Sequence, residues 1–497
     1  MMASASRAVL EGTIGLGIIA FAACSDIKTT MSGDRRPASV RPAGAGGNGA
    51  GQGSSGGVPG GGRTFVAGSD CGHDAGLGGV ADSGTPFEFI GAPLISTPTH
   101  SGFGLNVVLA QGDPMHLRVK VRELGTCAWT TAEPPATPAA DVAQFSITNL
   151  EPGRQYEYAV VDAEDETSPL YVGSAVTQRD PGVSFTFAVT TDSHIEPSDA
   201  PYTGDGPEMT LRQVAQDIGA AHPDFIINLG DMLDFHYFGF NPAVPDKSYV
   251  RGAYLRYRRA FGDTLGNAAH YPVVGNWEGE DGFLEPDEIA LARGQRIIYL
   301  PAPGPTTYPQ GGSAGQDYYA FTWGDALFVV LNVMSYTPTK HLLSGYPGLP
   351  DDWTLGPAQM AWLQQTLEQA TSKWRFLFIH HTVGGAAGDD ANSGYGRGGG
   401  QAAHVGEQGT VHDLMLEFGV QVFFYGHDHV FTDMVVDGIH YTLPGSSGAP
   451  WKFSTSDTGY TSYWTDSGYG RVEVGPTAVG VQFIASGGAV IHDYQLP

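Results

Sequence analysis

Two rhythms of apolar and polar residues divide the chain. Between about Pro86 and Thr177, Leu105-Asn-Val-Val-Leu-Ala, His116-Leu-Arg-Val-Lys-Val-Arg and Gln155-Tyr-Glu-Tyr-Ala-Val-Val alternate, with turn-rich segments between them. A period of two puts every second side chain on one face, so these read as half-buried antiparallel strands of a β-sandwich. Beyond Val183 the alternation gives way to unbroken apolar runs: Phe185-Thr-Phe-Ala-Val-Thr, Phe225-Ile-Ile-Asn-Leu, Val273-Val-Gly, Ala326-Leu-Phe-Val-Val-Leu, Phe376-Leu-Phe-Ile and Val420-Gln-Val-Phe-Phe-Tyr. Such runs fit strands buried on both faces, as in parallel sheets. Helical spacing over 209–221, 249–261, 357–370 and 410–418 falls between them, which predicts an α/β domain. After Tyr441 short strands return, among them Arg471-Val-Glu-Val and Val479-Gly-Val-Gln-Phe-Ile. The predicted boundaries are 71–180 for the sandwich and 181–497 for the α/β domain. Two glycine-bearing loops, 199–207 and 384–409, read as rims or lids of a site, or as plain insertions.

The first 70 residues follow neither rhythm. Arg7 precedes an uncharged apolar stretch from Gly12 to Ala23, too short to span a bilayer as a retained helix and ended by small residues, so residues 1–24 read as an export signal. Its end, Phe21-Ala-Ala-Cys24, resembles the bacterial lipoprotein box, which implies a lipid on Cys24; a plain secretory signal is the alternative. Ser25, where Asp would retain a lipoprotein at the inner membrane, implies passage to the outer membrane, cell surface or periplasm. Residues 25–70 read as a disordered Gly/Ser-rich linker: 11 of the 20 residues from Ala43 to Gly62 are glycine, so no core can form there. As a flexible coil, the chain from Cys24 to Cys71 would reach about 35 to 40 Å, a tether that holds a domain off a membrane.

Charge and cysteine narrow the partners. With 52 acidic against 25 basic side chains and a net charge of -27, the protein repels duplex nucleic acid and anionic lipid, leaving a lipid anchor as the only expected membrane attachment. A phosphate-bearing substrate then needs local positive charge, which favours metal ions. If Cys24 carries lipid, Cys71 and Cys127 form an even pair in an oxidising compartment, and a disulfide is expected between them.

The candidate chemistry sits at strand ends. Phe225-Ile-Ile-Asn-Leu stops at Gly230-Asp231, which puts Asp231 at the carboxyl edge of a sheet, where open α/β folds bind ligands. A carboxylate there can share its oxygens between two cations, and Asp231 is read as that bridge; a lone Gly-Asp would otherwise be a surface turn. Four more clusters follow predicted strands: Asp192-Ser-His194, Gly275-Asn276-Trp277-Glu278, His380-His381 and Gly426-His427-Asp-His429. Carboxylate and amide oxygens with imidazoles suit borderline divalent or trivalent ions such as Fe, Zn or Mn. The D-x-H and H-x-H spacings are expected to work because residues two apart in an extended stretch project the same way.

This ordered set resembles the calcineurin-like metallophosphoesterases over about residues 183–445. The resemblance implies a four-layer αββα sandwich. It also implies two metal ions, with Asp192, His194 and His429 on one, Asn276, His427 and one of His380 and His381 on the other, and Asp231 between; H-x-P motifs of the family suggest His380. Asp317-Tyr-Tyr-Ala-Phe-Thr-Trp-Gly-Asp-Ala-Leu-Phe-Val-Val-Leu-Asn and Gly426-His-Asp-His-Val-Phe further resemble purple acid phosphatases. Phe145-Ser-Ile-Thr-Asn-Leu-Glu-Pro-Gly-Arg-Gln-Tyr-Glu-Tyr resembles a fibronectin type III strand, turn and strand, and such a domain also precedes the catalytic one in those phosphatases. Asp234 stands where their tyrosine ligand belongs, so no purple tyrosinate band is expected. Trp277 stands where the related motif carries a histidine that orients substrate or protonates the leaving group, and an indole supplies no acidic proton. His236 is the first candidate to replace it, followed by Arg397 and His404 on the glycine-rich loop, with His381 a further catalytic candidate.

Together these features predict an exported hydrolase of small phosphate monoesters or diesters, in which two metals lower the pKa of a bridging water and the resulting hydroxide attacks phosphorus in line. A phosphodiesterase acting on nucleotides or phospholipid headgroups is one alternative. Another is a silent binding module that keeps the fold, with the sandwich as its adhesive part; the seven retained candidate ligands oppose it.

Overall fold

A computed structural model describes residues 86–196, 206–234, 247–280, 286–333, 354–381, 406–453 and 460–497. Nine strands precede the α/β part: β1 (Glu88–Phe89), β2 (Leu94–Thr99), β3 (Gly102–Gln111), β4 (Leu117–Glu123), β5 (Thr130–Thr131), β6 (Ala136–Ala139), β7 (Val142–Ile147), β8 (Gln155–Asp162) and β9 (Asp165–Val176). They form a five-stranded sheet ordered β1-β3-β7-β6, with β2 also on β3, and a four-stranded sheet ordered β5-β4-β8-β9. Alternate residues Leu105, Val107, Ala143 and Phe145 of one sheet meet Leu117, Val119, Tyr158 and Val160 of the other in one buried cluster. Cys127 is disulfide-bonded, as the expected pairing requires of it; Cys71 lies outside the described residues.

The α/β part runs β10 (Phe185–Thr190), α1 (Gly206–Ala221), β11 (Phe225–Asn228), α2 (Lys247–Phe261), β12 (Ala269–Pro272), α3 (Pro286–Tyr299), β13 (Tyr319–Trp323), β14 (Ala326–Val330), α4 (Gly356–Glu368), β15 (Trp374–Phe378), α5 (Gly406–Glu417), β16 (Val422–Phe424), β17 (Phe431–Val436), β18 (Ile439–Pro444), β19 (Gly468–Val474), β20 (Val479–Ala485) and β21 (Val490–Leu496). Two six-stranded sheets result, β12-β11-β10-β19-β20-β21 and β13-β14-β15-β16-β18-β17. Phe187 and Phe225 of the first turn inward onto Phe328 of the second, with ring centroids 5.1 and 5.2 Å apart. On the outer faces, Ala188 and Ile226 pack under Leu211, Val214, Ala215 and Ile218 of α1, whose spacing makes one apolar stripe. Leu327, Val329, Leu377 and Phe423 pack under Leu363, Leu367, Val411 and Met415 of α4 and α5. The layers are therefore α, β, β, α, and burial on both faces explains why the central strands read as unbroken apolar runs.

Three expectations shift. The strand placed at Val273 lies earlier, at Ala269–Pro272, where buried His270 bonds the Tyr257 hydroxyl at 3.0 Å and disguises an interior segment as polar. Helix α3 was not foreseen, because Arg293 and Arg296 look like solvent residues; Arg296 is in fact fully buried on Glu280, at 2.6 and 3.1 Å. The segment read as a loop over 384–409 is helical from Gly406.

The sandwich is fastened to the α/β part through buried polar contacts. Arg258 of α2, fully buried, donates to Asn106 Oδ1, Asn106 O (2.8 Å), Ala92 O (3.1 Å) and Tyr299 O (3.2 Å). Tyr158 Oη donates to Gly266 O at 2.8 Å and Tyr308 Oη to Pro98 O at 2.7 Å. Replacing Arg258 with Met keeps the bulk but leaves four buried acceptors without their donor, and a loss of about 3 kcal/mol is expected. Denaturant unfolding reads it, and an unchanged midpoint would show that the guanidinium does not hold the two parts together.

Candidate metal centre

All five strand-end clusters meet at one edge. β10, β11 and β12 run parallel in the first sheet and β14, β15, β16 and β18 in the second, so their carboxyl ends face a common crevice between the sheets. Two groups of donor atoms assemble there, Asp192, His194, Asp231 and His429 in one and Asp231, His380 and His427 in the other. Every member is at most 3% exposed.

Asp231 belongs to both groups. Its Oδ1 accepts the Trp277 backbone N–H at 2.9 Å, while Oδ2 is buried without a hydrogen bond, 3.6 Å from His194 Nε2 and 3.1 Å from His380 Nε2. Two imidazoles are fixed from behind: His380 Nδ1–H donates to Leu229 O at 2.8 Å and His429 Nδ1–H to Trp451 O at 3.0 Å, which turns both Nε2 atoms towards the crevice. His194 Nε2 and His429 Nε2 stand 3.1 Å apart, and Asn276 Oδ1 and His427 Nδ1 stand 3.0 and 3.3 Å from His380 Nε2. Lone pairs and carboxylate oxygens so crowded, with an orphaned buried Oδ2 at their midst, form a donor set that fits cations. Asn276 thus joins the second group, and His380 rather than His381 supplies an atom to it. The buried His381 ring lies 5.8 Å from His380 and 5.1 Å from His427. His236, Arg397 and His404 lie outside the described residues.

Backbone conformation departs from the extended geometry expected of D-x-H and H-x-H. Asp192, His194, Asp231, His427 and His429 are all left-handed, with φ of 53°, 48°, 49°, 75° and 58°. Asp192 and His194 thereby reach one group, whereas His427 and His429, also two apart, are delivered to different groups; the left-handed conformation costs non-glycine residues about 1 to 3 kcal/mol apiece and recurs at functional sites.

Electrostatics within the cluster oppose each other. Burial disfavours charge on His380, but Asp231, then Asp192 and Glu278, outweigh it and raise that imidazole to about 9. Burial lowers His194 to about 3. For Asp192 burial acts upward, yet His429, His380 and His194 together hold the carboxyl well below its ordinary range. Asp234, in the slot expected of a tyrosine ligand, is buried and driven well upward by burial and by the charges of Glu196, Asp231 and Glu278; it belongs to neither donor group.

Two supports escaped the sequence. Glu278 accepts four backbone N–H groups, from Gly275 (2.5 Å), Asp231 (3.0 Å), Met232 (2.7 Å) and Leu233 (3.2 Å), and so shapes the turn that presents Asp231. Gly230 at φ 99° completes that turn, since a Cβ there would lie 2.6 Å from Gly275 N. The second support is the loop after β18: Ser447 N–H donates to Thr191 O at 2.8 Å, Ala449 N–H to Asp192 O at 2.9 Å, and Trp451 O receives His429. Gly448 lets it approach, because a Cβ would lie 2.2 Å from Ser193 O. The small-residue string Gly445-Ser-Ser-Gly-Ala-Pro, a sixth segment at a strand end, was the available signal.

With this geometry, residues 185–431 match the family described as calcineurin-like phosphoesterase. Residues 185–431 are a calcineurin-like phosphoesterase domain. With that domain, the protein is a hydrolase of phosphoester bonds. No curated protein matches it by sequence. Among solved structures, PhoD superposes with a TM-score of 0.62 at 15% identity, over 84% of this chain and 91% of PhoD. A purple acid phosphatase, PPD1 from yellow lupin (Lupinus luteus) seeds, does so at 0.57 and 13% identity, over 82% of this chain and 74% of that one. Both coverages exceed the matched segment, so the protein shares its fold with them beyond the calcineurin-like phosphoesterase domain.

Proposed function

We propose that the protein is an exported phosphoesterase that hydrolyses small phosphate monoesters or diesters at two metal ions drawn from Fe, Zn and Mn. The observation that carries this reading is Asp231 Oδ2, which lacks a hydrogen bond and belongs to both donor groups. Asp192, His194, Asp231 and His429 would hold one ion, and Asp231, Asn276, His380 and His427 the other. When bound, such a pair supplies the Lewis acidity that activates water for in-line attack at phosphorus and offsets charge on the phosphoryl oxygens.

The chain's own part is to present and orient. Leu229 O and Trp451 O fix the tautomers of His380 and His429, and the Trp277 N–H holds Asp231 so that its second oxygen points between the groups. Glu278, through four amides, holds the Asp231 turn against the strain of its left-handed backbone. Export is supported by the disulfide on Cys127 and by the signal-like residues 1–24; a lipid on Cys24 would tether the domain at the outer membrane, cell surface or periplasm. Among the described residues no helix is long and apolar enough to cross a membrane.

Metal analysis of purified protein, paired with turnover of p-nitrophenyl phosphate and its bis ester, tests the proposal. Two equivalents of metal and metal-dependent release of nitrophenolate are expected. Protein that binds both ions and cleaves neither ester would leave a silent binding module in its place.

A further inference from the structure

The candidate ligands are buried, but three aromatic rings packed on them are only partly so. Trp277 and Trp451 lie against the His194 ring, with centroids 5.3 and 4.8 Å away, and Trp451 and Phe453 lie against His429 at 5.4 and 5.1 Å. His194 and His429 are at most 2% exposed, whereas Trp277, Trp451 and Phe453 each keep solvent-facing surface. Partly exposed aromatic residues therefore lie directly beside one of the two donor groups.

These rings are pinned by backbone to the donor atoms themselves. The Trp277 N–H donates to Asp231 Oδ1 at 2.9 Å, and Trp451 O accepts from His429 Nδ1 at 3.0 Å, two residues after Ala449 N–H donates to Asp192 O. The indoles come from separate loops, after β12 and after β18, and their centroids stand 6.4 Å apart with planes inclined at 55°. Planes so inclined form two walls of a wedge rather than a stack, and a flat ring can lie on either wall. Lys452, between Trp451 and Phe453 in the chain, sends its amine to Ser467 Oγ at 3.3 Å. The wedge thus offers π-faces and apolar edges, which select by aromatic contact.

We infer that the phosphoester taken at this centre carries an aromatic group, seated on Trp277 and Trp451 while its phosphoryl oxygens face the donor cluster. The inference rests on the phosphoesterase reading above and adds the class of substrate. Its logic is geometric: a phosphoryl group beside His194 and His429 has its ester substituent within a ring's width of two fixed indoles.

Phenylphosphonate and methylphosphonate separate the two readings, because both present the same headgroup through a P–C bond that hydrolysis leaves intact. Calorimetric titration of the metal-loaded full chain is expected to give phenylphosphonate an affinity about tenfold higher than methylphosphonate. Trp277→Ala and Trp451→Ala are each expected to bring that ratio towards one, and Trp277→Phe and Trp451→Phe, which keep an aromatic face, to retain most of it. Equal affinities in the wild type, or a ratio that survives both alanine variants, would overturn the aromatic seat while methylphosphonate binding still upheld the phosphoryl site. Absence of binding by either phosphonate would overturn both readings. Should an alanine variant fail to fold, the wild-type ratio and the phenylalanine variants decide.

Discussion

Asp231→Asn is expected to lower kcat for phosphoester hydrolysis at least about a thousandfold, which corresponds to about 4 kcal/mol of lost transition-state stabilisation. The size follows from position, since Asp231 is the one carboxylate shared by both donor groups. In the variant, the amide oxygen keeps the Trp277 N–H, an acceptor role that only oxygen can fill, and the NH2 group takes the place of Oδ2. Two N–H donors then point where two cations are to sit. Left-handed φ adds nothing to the effect, because asparagine tolerates the 49° found there at least as well as aspartate. The variant should therefore fold, retain at most one equivalent of metal by mass spectrometry, and turn over p-nitrophenyl phosphate only at residual rates. Retention of both metals with near-normal turnover would remove Asp231 from the bridging role.

The parts of this architecture visible in the sequence are those where burial and chemistry agree. Phe225-Ile-Ile-Asn, Trp374-Arg-Phe-Leu-Phe and Val422-Phe-Phe are covered on both faces, so they stand out as apolar runs, and the polar residues that end them mark the crevice. Where polar groups are satisfied inside the fold, the signal inverts. His270 on the Tyr257 hydroxyl hides a strand, and Arg296 on Glu280 hides a helix, because a paired buried cation and a solvated one look alike in a sequence. The candidate donor clusters are legible by residue type and order, but their placement is not: coiled left-handed backbone brings Asp192 and His194 into one group and delivers His427 and His429 to different groups, where an extended stretch with both side chains on one side is expected. Glu278 stands within a cluster already singled out, yet three of the four amides it accepts, those of Asp231, Met232 and Leu233, come to it from another loop. A contact of that kind, 45 to 47 residues away in the chain, has no local pattern.

Removing metal from the loaded protein is expected to lower its Tm by about 10 °C or more, reversibly. An ion that binds only the folded state stabilises by about 4 kcal/mol at a thousand times its Kd, the two proposed ions would act together, and a domain of this size shifts by about 2 °C per kcal/mol. The metal-free cluster has nothing of equal strength to put in their place. The carboxylates of Asp192 and Asp231 then have the raised His380 as a counter-charge but face a His194 that burial lowers to about 3, and the left-handed residues keep their strain without the bonds that justify it. Thermal unfolding followed by circular dichroism, before and after exhaustive chelation and again after metal return, measures the effect. The shift should shrink in Asp231→Asn, which has already lost its grip on one ion. Superimposable melting curves from protein shown by mass spectrometry to have lost its metal would mean that the buried donors are a self-sufficient hydrogen-bonded core, and the metal reading of the crevice would fall with that result.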